Sequence, residues 1–287
     1  MTSFDFPAIG TQWQIDIYDK FSSKKELEIK NKAVGRIEEF DKTYSRFRKD
    51  SWVTKFSRKA QTLRLPSDFI PLVSVYKEAY ELSGGLVTPL IGRTLVDAGY
   101  DPLYSLKPKE KISKPESLEI LSWTEDSITS KKPVLLDFGA AGKGYIIDII
   151  SDLLIKNGVH SFCIDAGGDI LHRGNESLRV GLEHPDDPTL AIGIANISNN
   201  SICASAGNRR KWEGFHHTIN PFTLKSPDEV KAVWVIAKDA TTADMLTTCL
   251  YLDPHPMHYK DFKFEYVILY KDNKAQKSPG FSGEIFN

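Results

Sequence analysis

The 287-residue chain is poor in the features that mark exported, metal–sulfur or membrane proteins. Its three cysteines (Cys163, Cys203 and Cys249) lie far apart, each in an apolar stretch, an odd count that suits neither a disulfide framework nor zinc-ligand spacing. They read as buried, reduced thiols. No stretch reaches the ~20 apolar residues needed to span a bilayer. The opening MTSFDFPAIGTQW has no basic leader, apolar run or small-residue cleavage site. A cytoplasmic protein without signal peptide or lipobox is therefore expected. Thirty-seven Lys and Arg against 38 Asp and Glu leave a formal net charge of −1. No whole-chain field draws nucleic acid or an anionic membrane, so any bound anion is held locally. Internal repeats and low-complexity tracts are also lacking.

What is present is enough apolar material for a sizeable core, 41% hydrophobic residues. Trp13, Ile15 and Ile17 alternate with polar residues, as in a half-buried strand. Over 25–47, Ile29, Ala33, Ile37 and Phe40 recur at helical spacing, and a second helix is expected from after Ser67 to Gly84. The charged, proline-punctuated 107–119 segment reads as a surface connection. Strands are expected in LEILSW, SITS, PVLLDF (133–138), HSFCIDA, SLRVGLEH, LAIGIANI, KAVWVIAK and FEYVILY, with helices over 142–158 and 241–252. Helices and strands mix without regular alternation. This predicts an α+β fold in a single domain spanning residues 1–287.

Three stretches carry chemistry. In LLDFGAAGKGYIID (135–148), small residues open a helix whose first-turn amides, with Lys143, suit a phosphate. A Walker A loop is excluded, because Gly144 follows the lysine where Ser or Thr is required. The bland alternative is a strand-to-helix turn with a solvated lysine. In KDATTADMLTTCL, Asp244, Thr247 and Thr248 stand at i, i+3 and i+4, so on a helix they share one face. Their hard oxygen atoms suit Mg²⁺, with Asp239 either assisting or simply capping the helix. The third stretch, SICASAGNRRKWEGFHHTINP (201–221), holds Arg209 and Arg210, which suit phosphate, and His216 and His217, which suit acid–base or stacking roles. A solvated basic run and a structural histidine pair are the alternatives there.

In order, the motifs IGTQW, YSRFRKDSWVTKFS, LDFGAAGKGYIID, IDAGGDI, HTINP and DATTADMLTT resemble those of the ApbE-type FAD:protein FMN transferases, over nearly the whole chain. The resemblance implies a single-domain, ApbE-like (T-fold-related) α+β fold of mixed sheets with packed helices. It implies an enzyme that uses FAD and Mg²⁺, cleaves the FAD pyrophosphate, joins FMN by a phosphoester to a Thr or Ser of an acceptor flavoprotein, and releases AMP. By position, the metal is expected on Asp244, Thr247, Thr248 and the carbonyl of Ala140, and FAD on Ile9, Phe47, Asp137, Lys143 and His217. Catalytic roles fall to Lys143, His217 and Asp244. The chain departs from the family pattern at GGLVTPLIG (84–92), which lacks the usual Asp, and at Ser57 and Asp165, where the family has Asn. A non-catalytic FAD-binding protein, or an FAD pyrophosphatase giving FMN and AMP, is the alternative.

Overall fold

A computed structural model describes residues 1–208 and 210–286; Arg209, one of the paired arginines, lies outside them. The chain begins with β1 (Thr2–Ala8), β2 (Thr11–Ile17), α1 (Ser23–Tyr44), α2 (Trp52–Phe56), β3 (Gln61–Arg64) and α3 (Phe69–Leu82). A short 3-10 turn (Pro89–Ile91) leads into α4 (Gly92–Asp97), then β4 (Leu121–Trp123), β5 (Ser127–Ser130) and α5 (Gly142–Lys156). Next come β6 (Phe162–Ala166), β7 (Ile170–Arg173), β8 (Leu178–His184), β9 (Asp187–Ile197), β10 (Ser201–Ala206), β11 (Lys211–Trp212) and β12 (Phe215–His216). The chain closes with β13 (Val230–Ala237), α6 (Ala240–Leu252), a 3-10 turn (Pro256–Tyr259), β14 (Phe264–Tyr270), β15 (Ala275–Lys277) and β16 (Gly283–Ile285). The mixture is α+β, as expected.

These elements form two compact units interleaved along the chain: residues 1–39, 141–208 and 228–287 in one, residues 40–140 and 209–227 in the other. The first unit is built on an eight-stranded sheet in the order β1-β2-β6-β7-β10-β13-β14-β15, with antiparallel neighbours throughout. Strand β13 (VKAVWVIA) shows why its pattern is a near-continuous apolar run. Ala232, Trp234 and Ile236 join Leu182, Ala195 and Ile197 of the three-stranded sheet β16-β9-β8 in one buried cluster. The residues between them, Val233 and Val235, point to the opposite face, where α6 lies against β10 and β13. Both faces of the strand are covered, and each buried Val or Ile there contributes about 1.5–3 kcal/mol.

The second unit carries the small sheet β3-β5-β4, the β11-β12 ribbon and its own apolar cluster of Leu95, Ala98, Tyr100, Trp212 and Ile219. Part of that cluster comes from the segment that returns after residue 208, a closure that local periodicity does not announce.

The expected strand at 133–138 is absent. Val134, Leu136 and Phe138 are buried in the alternation that suggested it, yet the segment joins no sheet. Its one ladder-like bond runs from the Asp137 amide to the Pro89 carbonyl, at 2.8 Å. Alternation therefore reported burial correctly and pairing wrongly. Helix α3 starts where expected; Asp68 stands at its N-cap position, and its carboxylate accepts from the Tyr44 hydroxyl at 2.5 Å. No described helix is long and apolar enough to cross a membrane. All three cysteines are free and buried.

Candidate active site

The first unit brings the two chain-distant clusters together. Helix α5 has no side-chain cap of its own at Ala141. The carboxylate of Asp244, on the first turns of α6, supplies one: Oδ2 accepts from the Gly144 amide at 2.8 Å, and the Lys143 amide adds to it. The amides expected to face a phosphate are thus directed at a carboxylate. Gly144 is required at this crossing, because a Cβ there would lie 2.1 Å from the Ala240 carbonyl oxygen. That is the physical reason for glycine where a Walker loop has a hydroxyl.

The Lys143 ammonium pairs with Asp169, whose other oxygen accepts from the Ala204 amide at 3.1 Å. Asp169 follows the Gly167–Gly168 turn, where both glycines have positive φ. Asp165 closes that turn by accepting from the Gly168 amide at 2.8 Å, a task Asn performs equally well. Asp169 and Asp244 are 1% and 5% exposed, so two carboxylates share one ammonium in a desolvated place. Burial, then the charge of Asp169, pushes the Asp244 carboxyl up to about 8, against the pull of Lys143. Burial works against the Lys143 charge, but Asp169 and Asp244 outweigh it and hold that ammonium above its ordinary value.

Thr247 is fully buried; its hydroxyl donates to the Asp244 carbonyl at 2.7 Å and meets Ser205 Oγ at 2.9 Å. Thr248 is half-buried on the same helix face. Asp239 caps α6 by accepting from the Thr242 amide at 2.8 Å, the simpler of its two expected roles. Asp148 of α5 reinforces the same helix end, accepting from the Ala240 and Thr241 amides at 2.9 and 2.8 Å. Ile9 forms the β1–β2 turn with φ of +48°, unusual for a β-branched residue.

In the second unit, Asp137 accepts from Arg46 Nε at 2.5 Å and from the Gly139 amide at 2.8 Å. Arg46 is buried: Nη1 donates to the Tyr100 carbonyl at 2.7 Å, while Nη2 has no hydrogen-bond partner among the described residues. Its guanidinium lies 4.2 Å from the ring centroid of Phe47, which stacks on Tyr104. The Ala140 amide donates to the Tyr76 hydroxyl at 2.9 Å. Arg210 donates to the Tyr100 hydroxyl at 2.8 Å.

The two histidines differ. His216 Nδ1 accepts from the Thr218 amide at 3.2 Å, which leaves Nε2–H to donate to the Pro227 carbonyl at 3.0 Å. Both nitrogens are committed to the neutral ring, so His216 is structural. His217 is half-buried, its ring 6.1 Å from that of His216. Arg46, Asp148 and Asp169 have no telltale spacing of their own; the signal for each is its place inside YSRF, GKGYIID and GGDI.

The model described as the ApbE family matches residues 9–258. The chain belongs to the ApbE family. Among curated relatives, the FAD:protein FMN transferase of Buchnera aphidicola is 24% identical over 259 residues, covering 82% of this chain and 75% of that one. The Escherichia coli protein of the same name is 22% identical over 273 residues, covering 87% and 78%. Among solved structures, the ApbE protein of Thermotoga maritima superposes with a TM-score of 0.88 at 19% identity, covering 99% of each chain. The flavin transferase ApbE of Vibrio cholerae gives a TM-score of 0.82, also at 19% identity, over 98% of this chain and 97% of that one. The ApbE fold is therefore shared across nearly the full length.

A divalent cation fits the residues present in this ApbE-family chain. When Asp244 is ionised, the buried Asp169–Asp244–Lys143 cluster is one positive charge short, and its donors are hard oxygen atoms. Asp244, Thr247 and Thr248 present such donors on one face of α6, where the Thr247 hydroxyl bonds within the helix and to Ser205.

Proposed function

We propose that this ApbE-family protein is a Mg²⁺-dependent transferase that cleaves FAD and attaches FMN through a phosphoester to a Thr or Ser of an acceptor flavoprotein domain, releasing AMP. The observation that carries the reading is the buried Asp244 carboxylate, short of positive charge and one helical turn from Thr248. Asp244, Thr248 and the Ala140 carbonyl hold Mg²⁺, with Thr247 supporting them. Bound there, the ion supplies positive charge to phosphoryl oxygens in the transition state. Lys143 fixes Asp169 and sets the charge balance against which Asp244 binds. Ile9, Phe47, Asp137, Lys143 and His217 contact FAD, the ring of Phe47 offering a stacking surface. His217 takes the proton from the acceptor hydroxyl, with Asp244 the second choice for that role. The 287 residues act as one transferase domain, in a reducing cytoplasm consistent with three free, buried thiols.

The test is incubation with FAD, MgCl₂ and an acceptor domain. Flavin fluorescence that survives denaturing electrophoresis, with AMP released in equal amount, is the expected result. AMP without protein label identifies a pyrophosphatase, and flavin binding with neither product identifies a binding protein; each would overturn the transferase reading.

A further inference from the structure

Beyond α6, the chain makes a short hook, LDPHPMHY, that holds none of the residues proposed above for FAD or Mg²⁺. Asp253 caps the helix C-terminus, its amide donating to the Cys249 carbonyl at 2.8 Å. Pro254 and Pro256 fix φ on either side of His255, and the His255 and His258 amides donate to the Asp253 and His255 carbonyls at 2.8 and 3.0 Å. Tyr259, fully buried, anchors the far end. The result is convergence: His255 Nδ1 lies 2.5 Å from Asp253 Oδ1, and His258 Nδ1 lies 2.7 Å from Oδ2. The rings stack at 5.3 Å, and one ligand atom from each of the three residues lies within 4.8 Å of the others.

We propose that Asp253, His255 and His258 form a binding site for a divalent transition-metal ion of the Zn²⁺ class, separate from the Mg²⁺ site. Two imidazole nitrogens and one carboxylate are the donor set such ions prefer, and water completes the coordination. Tetrahedral bonds of about 2.0–2.1 Å place ligand atoms roughly 3.3 Å apart. The present contacts of 2.5 and 2.7 Å therefore need to open by less than about 1 Å. Each neutral ring moves its proton from Nδ1 to Nε2 and presents the Nδ1 lone pair; no other bond changes. The carboxylate is 18% exposed and the imidazoles 67% and 58%, so an anchored ligand is paired with two that solvent ions reach directly. The C-terminal carbonyls of α6 add negative potential. Asp253 stands nine positions beyond Asp244, about 14 Å along the α6 axis, so neither site's ligands serve the other.

The test is calorimetric titration of the full chain with ZnCl₂ in excess MgCl₂, which occupies the Asp244 site. Expected is one equivalent of Zn²⁺ bound, weakened at least about 10-fold by either His255→Ala or His258→Ala and by Asp253→Asn. These residues sit at the surface, and unchanged melting temperatures before zinc is added show that the variants fold. In the histidine-detected NMR spectrum, zinc is expected to shift the ring signals of two of the seven histidines. Equal zinc stoichiometry in the His255→Ala/His258→Ala variant overturns the site. So does a wild-type titration with no saturable binding, which would reduce the cluster to hydrogen bonds between the histidines and Asp253.

Discussion

The Gly144 amide donates to Asp244 Oδ2 at 2.8 Å, joining the starts of two helices that lie 100 residues apart in sequence. One carboxylate thereby caps α5, lies in the field of Lys143 and shares a helix face with the Thr247 and Thr248 hydroxyls. Structure and proposed chemistry draw on the same atom, and the two uses are separable by substitution.

Asp244→Asn keeps an oxygen acceptor for the Gly144 amide and removes the charge. Metal-dependent flavin transfer is expected to fall at least about 100-fold. The melting temperature in EDTA is expected to match or exceed wild type, because a buried, undercompensated carboxylate has gone. Added Mg²⁺ should raise the wild-type melting temperature and leave the variant's unchanged. Equal Mg²⁺ shifts in both proteins would remove Asp244 from the metal site.

Two glycine-to-alanine changes within helices are expected to have opposite signs. Gly35, inside α1, has nothing within 4 Å of an added Cβ, so Gly35→Ala gains up to about 1 kcal/mol from helix propensity. Gly144→Ala has the same propensity gain but drives a methyl group to 2.1 Å from the Ala240 carbonyl. Separating α5 from α6 to make room costs about 1–3 kcal/mol or more. Denaturant melts of the pair decide it; a stabilised Gly144→Ala protein would show that the crossing is looser than described.

His216 is expected to make the fold acid-sensitive. Burial, aided by Lys211 and opposed by the Pro227 carbonyl, holds its pKa below the ordinary 6.5. His172 is lowered in the same direction by burial and Arg173. A depressed histidine contributes stability that is present above pH 6.5 and is lost as pH falls through the folded-state value. The melting temperature should therefore drop between pH 7.5 and 5.5, and drop less in His216→Gln. An identical slope in the variant would discharge His216 from this role.

The fold was legible where period and burial coincide. Ile29, Ala33 and Ile37 announced α1, and KAVWVIAK announced a strand. The Asp244–Thr247–Thr248 face was legible too, because helical spacing alone puts those groups together. PVLLDF misled because alternation records which side chains are buried and carries no information about a hydrogen-bonded neighbour. Asp169 and Arg46 escaped for a different reason. Their importance lies in partners 26 and 91 residues away, Lys143 and Asp137, and no local pattern encodes such pairings.

Arg46 offers the sharpest test of the second unit. Its guanidinium does three things at once: Nε holds Asp137, Nη1 holds the Tyr100 carbonyl, and Nη2 is left as a buried donor beside the ring of Phe47. A lysine ammonium keeps the charge but lacks the planar fork, so Arg46→Lys is expected to weaken or lose one of the two bonds that Nε and Nη1 make to Asp137 and Tyr100. A buried acceptor left unpaired costs about 1–3 kcal/mol, which a denaturant melt reads directly. If Asp137 and Phe47 contact FAD, the same change raises KM for FAD at least about 10-fold, since each lost charge-assisted bond is worth roughly 1.5–3 kcal/mol. A melt shift with unchanged KM would confine Arg46 to structure and remove Asp137 from the flavin contacts.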